Sequence, residues 1–148
     1  MRVVRLSFLS GVLVGAVLCL CSGCSDAPKV GEVTGVVTLS GQPIPFAFVV
    51  FQPTDPPGTY GSAYSDASGR YELKFTEGVN GALVGRHEVL VRTATVDELQ
   101  LEDKSTGLMV TPPLPKGYRE RQELVFNREV KLGLNEINLE LSEGRSRE

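Results

Sequence analysis

Short alternating segments separated by turn-forming residues occupy most of the chain from Glu32 onward, and they restrict it to an all-β fold. Apolar and polar residues alternate within these segments, as they do in strands that bury one face. Gly, Pro, Asp and Ser cluster between them, and helical periodicity is almost absent. Short strands in close succession are typical of a β-sandwich. The sequence therefore predicts a single seven-stranded antiparallel β-sandwich.

The predicted strands follow directly from this pattern. Segment 70–76 shows it most clearly, because Tyr71, Leu73 and Phe75 alternate with polar residues. We expect this segment to form a hairpin with 60–65 across the turn between them. The other predicted strands are 32–39, 46–52, 86–93, 123–130 and 136–142.

The inward positions of these segments define a predicted hydrophobic core. They are β-branched, leucine or aromatic residues, which suit a pleated surface with one buried face. His87 alternates with Val89 and Val91, so we expect the single histidine of the chain to be a core or edge residue. The predicted core residues are Val37, Leu39, Val49, Phe51, Tyr71, Leu73, Phe75, Val89, Val91, Ile137, Leu139 and Leu141.

Composition argues against several classes of function. The 148 residues carry a formal net charge of −3, so electrostatics gives no reason for the chain to bind nucleic acid. One histidine cannot form a two-histidine zinc site, and no nucleophile motif lies near His87. The acidic residues between Asp97 and Asp103 are a candidate for cation binding, with a solvated loop as the default interpretation. We therefore expect no enzymatic activity, no cofactor and no metal ion.

The N-terminal segment has the organisation of a secretory signal. Arg2 and Arg5 precede an uncharged run from Leu6 to Leu20, which gives a charged region followed by a short apolar region. This run is shorter than the roughly 20 residues that a membrane-spanning helix needs. All three cysteines of the chain lie in or just after this segment.

The stretch Leu20-Cys21-Ser22-Gly23-Cys24 resembles a bacterial lipobox. A lipobox usually has Leu where this chain has Cys21, but the small residues at the next two positions fit. The resemblance implies cleavage after Gly23 and attachment of a diacylglycerol to Cys24. The mature protein would then be anchored to a membrane by its lipid, outside the cytoplasm, at the outer membrane or the periplasmic face. An ordinary secretory signal with an incidental cysteine is the alternative.

Five short motifs in the remaining chain resemble carboxypeptidase regulatory-like domains. These domains have a transthyretin-like (prealbumin-like) β-sandwich of the Ig-like kind, and a set of short bacterial lipoproteins carries one such domain alone. The resemblance covers residues 32–142 and implies a fold rather than a function, because the matched residues are turn formers and core residues. The motifs are GVVTLSGQPIP at 35–45, VVFQP at 49–53, SDASGRY at 65–71, GRHEV at 85–89 and LPKGY at 114–118.

These signals together predict the division of the chain into segments. The turn in the third motif has a physical account, since Asp66 can accept backbone N–H groups and Gly69 can adopt a positive φ. The predicted segments are a lipoprotein signal peptide at 1–23, a lipid-anchored tether at 24–31, the domain at 32–142 with an insertion at 94–113, and a tail at 143–148.

The chain departs from the family pattern at several outward positions. Phe46, Phe48, Val50 and Leu90 are apolar where small or polar residues are usual, and together they form a candidate contact face. Alternatively, Leu108, Met109 and Val110 of the insertion fold over this face and hide it. Arg128 stands where alternation calls for an apolar residue, which a β-bulge would explain.

The sequence thus favours a non-catalytic, lipid-anchored protein of the cell envelope with a binding or structural role. Its expected partners are the membrane, through the N-terminal lipid, and an envelope protein or glycan. The alternative function is a carbohydrate- or peptide-binding module that serves an envelope enzyme or transporter. Tyr60, Tyr64 and Tyr118 are scattered along the sequence and there is no Trp, which weakens that alternative.

Replacing the predicted lipid acceptor tests the anchoring. Cys24→Ala removes the only thiol left after the predicted cleavage, so we expect loss of labelled-lipid incorporation and either an uncleaved precursor or a released soluble protein. Cys21→Ala is the matched control and should leave labelling in place. Unchanged lipid incorporation in Cys24→Ala would exclude this anchor.

Overall fold

The computed structural model describes residues 27–56 and 58–142, which form strands and turns without a helix. The all-β prediction is therefore confirmed for this part of the chain. The predictions for the signal peptide, for Cys24 and for the tail lie outside the described residues. The strands are β1 Val30–Leu39, β2 Gln42–Pro43, β3 Phe48–Pro53, β4 Gly61–Tyr64, β5 Arg70–Glu72, β6 Lys74–Thr76, β7 Val79–Asn80, β8 Ala82–Leu83, β9 Gly85–Arg92, β10 Leu101–Glu102, β11 Met109–Val110, β12 Glu123–Val130, β13 Gly133–Glu136 and β14 Leu139–Leu141.

The first sheet is built around β1. Strands β8, β5 and β2 pair with it antiparallel along one edge, and β13 and β14 pair with it parallel along the other. The register Gly31↔Gly133 and Val37↔Leu139 fixes the parallel pairs. The prediction of a wholly antiparallel arrangement is therefore wrong at β1. Alternation assigns the faces of a strand but says nothing about its direction relative to a neighbour.

The second sheet has the order β12-β9-β3-β4-β6-β7, and all of its pairs are antiparallel. Its longest pairing joins β12 to β9 in an unbroken register from Glu123↔Arg92 to Val130↔Gly85. This continuity shows that the predicted β-bulge at Arg128 is wrong.

Buried side chains from both sheets form one hydrophobic cluster. Val37, Leu39 and Leu139 come from the first sheet, and Phe51 and Val89 come from the second. The predicted core is confirmed for every residue except two. Ile137 is partly buried against the cluster, and Phe75 is half-buried outside it.

The position of Phe75 follows from a change of sheet at Leu73. Residues Arg70–Glu72 pair with β1, whereas Lys74–Thr76 belong to the second sheet, where Lys74 pairs with Ser62. Leu73 lies between them, donating its N–H to the Val33 carbonyl at 3.0 Å, and its side chain is fully buried. The predicted continuous strand 70–76 is thus two strands in different sheets, and its hairpin with 60–65 is wrong for the first of them.

The turn between β4 and β5 forms as the sequence predicted. Asp66 Oδ1 accepts hydrogen bonds from the Ser68 N–H at 2.8 Å and the Arg70 N–H at 2.9 Å, and Gly69 has φ 77°. The Ser68 hydroxyl also donates to this oxygen, and these bonds lower the pKa of the Asp66 carboxyl. The role of Asp66 is therefore to stabilise this turn.

Two phenylalanines with different burial test this core. Phe51→Ala removes a fully buried ring and should lower the free energy of unfolding by about 3 to 5 kcal/mol. Phe75→Ala removes a half-buried ring outside the cluster and should cost clearly less. Urea unfolding of the two variants measures the difference. Equal losses would contradict the change of sheet at Leu73.

Candidate functional site

Three of the four residues of the predicted contact face lie side by side on the outer face of the second sheet. Val50 pairs with Leu90, and Phe48 occupies the neighbouring outward position of β3. The sheet adds two residues that the sequence analysis did not include, since Leu90 also pairs with Val125 and Phe48 also pairs with Tyr64. We call these five residues the outer patch.

Aromatic contacts organise one end of the outer patch. The rings of Phe48 and Tyr64 are 4.8 Å apart between centroids, and the Arg92 guanidinium carbon lies 5.5 Å from the centre of the Phe48 ring. Tyr64 is 63% exposed and Val125 is also exposed, while the other members are half-buried against one another. The patch therefore offers apolar area to a partner, with a cation held on its aromatic end.

Phe46 does not share the strand geometry of the outer patch. It precedes β3 and has φ 54°, and its N–H donates to the Ser65 carbonyl at 3.1 Å. Alternation along an extended strand therefore does not reach this residue. The prediction that Phe46 belongs to the same face rested on that alternation.

The insertion 94–113 contains its own hairpin and buries only some of its apolar side chains. Strands β10 and β11 pair as a hairpin, and Leu108 is 65% exposed, with Met109 and Val110 exposed as well. The alternative in which these three residues fold over the contact face is therefore wrong. The base of the insertion is fixed by the buried side chain of Leu99.

The acidic residues of the insertion stabilise its turns. Glu98 accepts a hydrogen bond from the Thr95 N–H at 2.8 Å while its own N–H donates to Thr95 Oγ1, which is a reciprocal cap. Asp103 Oδ1 accepts hydrogen bonds from the Ser105 hydroxyl at 2.6 Å and the Ser105 N–H at 2.8 Å. These bonds lower the pKa of both carboxyls. Within residues 27–56 and 58–142, no group of three or more His, Cys, Asp and Glu side chains could hold a metal ion.

A cleft of about 650 Å³ lies at the end of the second sheet. We call it the His87 cleft. His87 and Arg128 pair across β9 and β12 and face the inner side of the sheet, as the sequence predicted for His87. A second cleft, of about 390 Å³, shares His87, Arg86 and Asp55 and extends to Lys29. The residues that line the His87 cleft are Thr54, Asp55, Arg86, His87, Asn127, Arg128 and Glu129.

His87 is 1% exposed, and its ring lies 5.8 Å from that of Phe51 between centroids. Its Nδ1 is 3.0 Å from the Gly85 carbonyl oxygen. Burial lowers the pKa of the imidazole, and the contact with Gly85 partly opposes this shift. The imidazole is therefore neutral at pH 7.

Arg128 interrupts the series of apolar residues at the inward positions of β12, and its contacts show how the strand accommodates it. Its guanidinium lies 5.2 Å from the centre of the Phe126 ring, and its Nη1 donates to the Asn127 carbonyl at 2.8 Å. Burial raises the pKa of the Tyr71 phenol, and the nearby charge of Arg128 opposes that rise. A long side chain can occupy an inward position at a sheet edge because its charged end remains in the cleft. Arg128, a polar residue at an inward strand position, is therefore the feature of the sequence that indicates the cleft.

Comparisons with known proteins do not assign the chain to a family. No family model and no curated protein matches the chain. Among solved structures, an (S)-allantoin synthase is similar with a TM-score of 0.42 and 17% identity, over 78% of this chain and 41% of that one. A 9R-lipoxygenase from Cyanothece PCC8801 is similar with a TM-score of 0.39 and 14% identity, over 77% of this chain and 16% of that one. The chain thus spans less than half the length of either protein.

The burial of His87 predicts a pH-dependent stability. The unfolded imidazole titrates near its ordinary pKa of 6.5, whereas the folded one titrates lower, so the unfolded state binds the proton first as pH falls. The free energy of unfolding should therefore be greatest above pH 6.5 and should decline as pH falls from there toward the folded pKa. Urea unfolding at about pH 7.5 and pH 5.5 measures this decline.

His87→Leu supplies the comparison for this prediction. The variant lacks the titrating ring, so its stability should change less between the two pH values. Asp66, Glu98 and Asp103 have lowered pKa values and titrate below this interval in both proteins. An equal decline in the two proteins would show that His87 is not the titrating group.

Proposed function

We propose that this protein is a non-catalytic, lipid-anchored protein of the cell envelope that binds a protein partner through the outer patch. The observation that carries this proposal is the adjacency of Phe48, Val50, Leu90, Val125 and Tyr64 on a sheet face that the insertion leaves open. Its fold would be a single transthyretin-like β-sandwich of the carboxypeptidase regulatory-like kind. Two sheets that share one hydrophobic cluster support that assignment.

The chemistry of the outer patch favours a protein as the partner. Protein interfaces are enriched in aromatic residues and arginine at their centre and carry charges at their rim. Phe48, Tyr64 and Arg92 supply the first of these features. Glu88 and Glu123 lie exposed on the same face and supply the second.

Anchoring through Cys24 would hold one particular end of the domain near the membrane. Six steps along the chain separate Cys24 from Val30, where β1 begins, and an extended chain spans at most about 3.5 Å per residue. Gly31 pairs with Gly133, and the flanking Leu132 and Leu134 are 72% and 86% exposed. Exposed leucines at the tether end suit contact with a lipid surface and support an extracytoplasmic protein at the outer membrane or the periplasmic face. In the part of the chain that the structure describes, no helix could cross a bilayer.

The chemistry of the two clefts supports a non-catalytic role. A hydrolase built around His87 would need a serine or cysteine nucleophile within hydrogen-bond reach of the ring. The residues that line the two clefts include neither. The second candidate function is a carbohydrate- or peptide-binding module that serves an envelope enzyme or transporter, and the hydrogen-bonding side chains that line the otherwise largely apolar His87 cleft favour it.

A double substitution tests the protein contact. Phe48→Ser with Val50→Thr removes apolar area from the outer patch, so we expect loss of a dimer or partner complex with little change in melting temperature. Leu108→Ser with Met109→Ser is the matched control, because it removes exposed apolar residues from the insertion hairpin. Sedimentation of the purified protein measures self-association, and a photo-crosslinker at Tyr64 in intact cells reports a different partner.

The two variants have distinct expected outcomes. The crosslink at Tyr64 should disappear in the outer-patch variant and persist in the hairpin variant. A folded outer-patch variant that keeps its oligomeric state and its crosslinks would exclude the patch as the contact surface. Failure of Cys24 acylation would overturn the anchoring and leave the test of the patch unaffected.

A further inference from the structure

Strand β12 forms one end of the second sheet, and its outer edge is open. The sheet order gives it one neighbour, β9, and no other segment of residues 27–56 and 58–142 pairs with it. Its eight residues include neither proline nor glycine and keep an unbroken register with β9. Proteins usually protect such an edge with a proline, a bulge or a very short strand. β12 therefore offers a long, regular edge to another strand.

The hydrogen bonds on both sides of β9 show which residues of β12 face this edge. The Thr54 N–H donates to the Arg86 carbonyl at 3.0 Å, which extends the ladder between β3 and β9. The Thr93 N–H donates to the Gln122 carbonyl at 3.0 Å, which extends the ladder between β9 and β12. Hydrogen-bonded pairs alternate along an antiparallel ladder, so the even-numbered residues of β12 bond to β9. The residues that turn their N–H and C=O groups to the open edge are Glu123, Val125, Asn127 and Glu129.

Arg128 is the one inward-pointing charge on this strand. Such a charge on an edge strand opposes pairing unless the incoming strand offers it a contact. The Arg128 guanidinium already lies 5.2 Å from the centre of the Phe126 ring, and its Nη1 donates to the Asn127 carbonyl at 2.8 Å. A carbonyl oxygen has two lone pairs, so the Asn127 carbonyl can accept a second hydrogen bond from a neighbouring strand.

The side chains of β12 are complementary to those of a second, antiparallel copy. In a symmetric pair centred on Asn127, Glu123 of one copy lies opposite Lys131 of the other. Phe126 lies opposite Arg128 in the same pair, so each guanidinium gains the ring of the second copy as a contact. Both contacts occur twice because a two-fold axis relates the copies.

Neighbouring registers are less favourable. Centring the pair on Phe126 places Glu123 opposite Glu129 of the second copy, and centring it on Arg128 places the two arginines opposite each other. Like charges directly opposite each other destabilise a strand pair. Centring it on Val125 avoids this repulsion but shortens the paired segment. The register centred on Asn127 is therefore the one that the charges select.

We propose that β12 pairs with β12 of a second copy of this chain in the register centred on Asn127, which joins two second sheets into one continuous sheet. This contact goes beyond the proposed function, because it uses backbone groups at the sheet edge rather than side chains on the sheet face. It depends on neither the outer patch nor the lipid anchor. Val125 lies at the edge of the outer patch, so the two outer patches would become neighbours on one side of the joined sheet.

A cysteine at the centre of the pair tests the register directly. Opposite residues of a hydrogen-bonded pair have Cα atoms about 5.5 Å apart, which a disulfide can span. The full chain is purified in detergent with its three native cysteines replaced by serine, and Asn127→Cys should then give a disulfide-linked dimer under mild oxidation. Glu77→Cys is the matched control, because Glu77 is exposed in the turn between β6 and β7, at the other end of the sheet. It should remain monomeric.

Exchanging charges tests the same register without a crosslink. Glu123→Lys and Lys131→Glu each oppose like charges at two symmetry-related positions, so each should weaken dimerisation about tenfold in sedimentation of the full chain in detergent. The double variant restores opposite charges and should dimerise as the parent chain does. Glu77→Lys makes the same change of charge away from the edge and should have no effect. The outer-patch variant, Phe48→Ser with Val50→Thr, should keep this dimer.

Three results would each overturn the proposal. Equal disulfide yields from Asn127→Cys and Glu77→Cys would leave the edge to a strand of another protein. A double charge variant that dimerises no better than the single variants would exclude this register. Loss of the dimer in the outer-patch variant would assign self-association to the sheet face instead, and would leave the proposed function standing.

Discussion

Strand pairing along the backbone of β1 is the interaction on which the rest of the structure depends. Five other strands pair with it, three along one edge and two along the other, so every strand of the first sheet is held by hydrogen bonds to this segment. Two glycines make the close approach possible. A side chain at Gly31 would collide with the Lys131 carbonyl, and one at Gly35 would collide with the Ile137 carbonyl. The hydrophobic core then forms between β1 with its partners and the second sheet.

Much of the fold could be predicted from the sequence because burial in a strand has a period of two. Val49 with Phe51, and Leu139 with Leu141, are buried as predicted, and their neighbours face outward. The direction of a strand and the strands with which it pairs depend on contacts between distant segments, and the local alternation of residues does not indicate these contacts. The chain therefore changes sheet at Leu73 without a break in the alternation of its residues.

The candidate site was predictable to the same extent and for the same reason. The outward positions of Phe48, Val50 and Leu90 followed from alternation within single strands, whereas the inclusion of Tyr64 and Val125 required the order β12-β9-β3-β4. Phe46 has a positive φ, which ends the extended geometry on which its assignment to the same face rested. The contact of His87 Nδ1 with the carbonyl of Gly85 is likewise a feature that residue types alone do not indicate.

The parallel pairing of β1 with β14 has a mechanical consequence. Because the two strands run in the same direction, the chain enters the domain at one end of this pair and leaves it at the other. A force applied between Val30 and Leu141 would pull the two strands past each other along their length, and the hydrogen bonds between them would be loaded in shear and would share the load. An arrangement of antiparallel terminal strands would instead open one bond at a time. The domain is therefore built to resist extension between its first and its last strand.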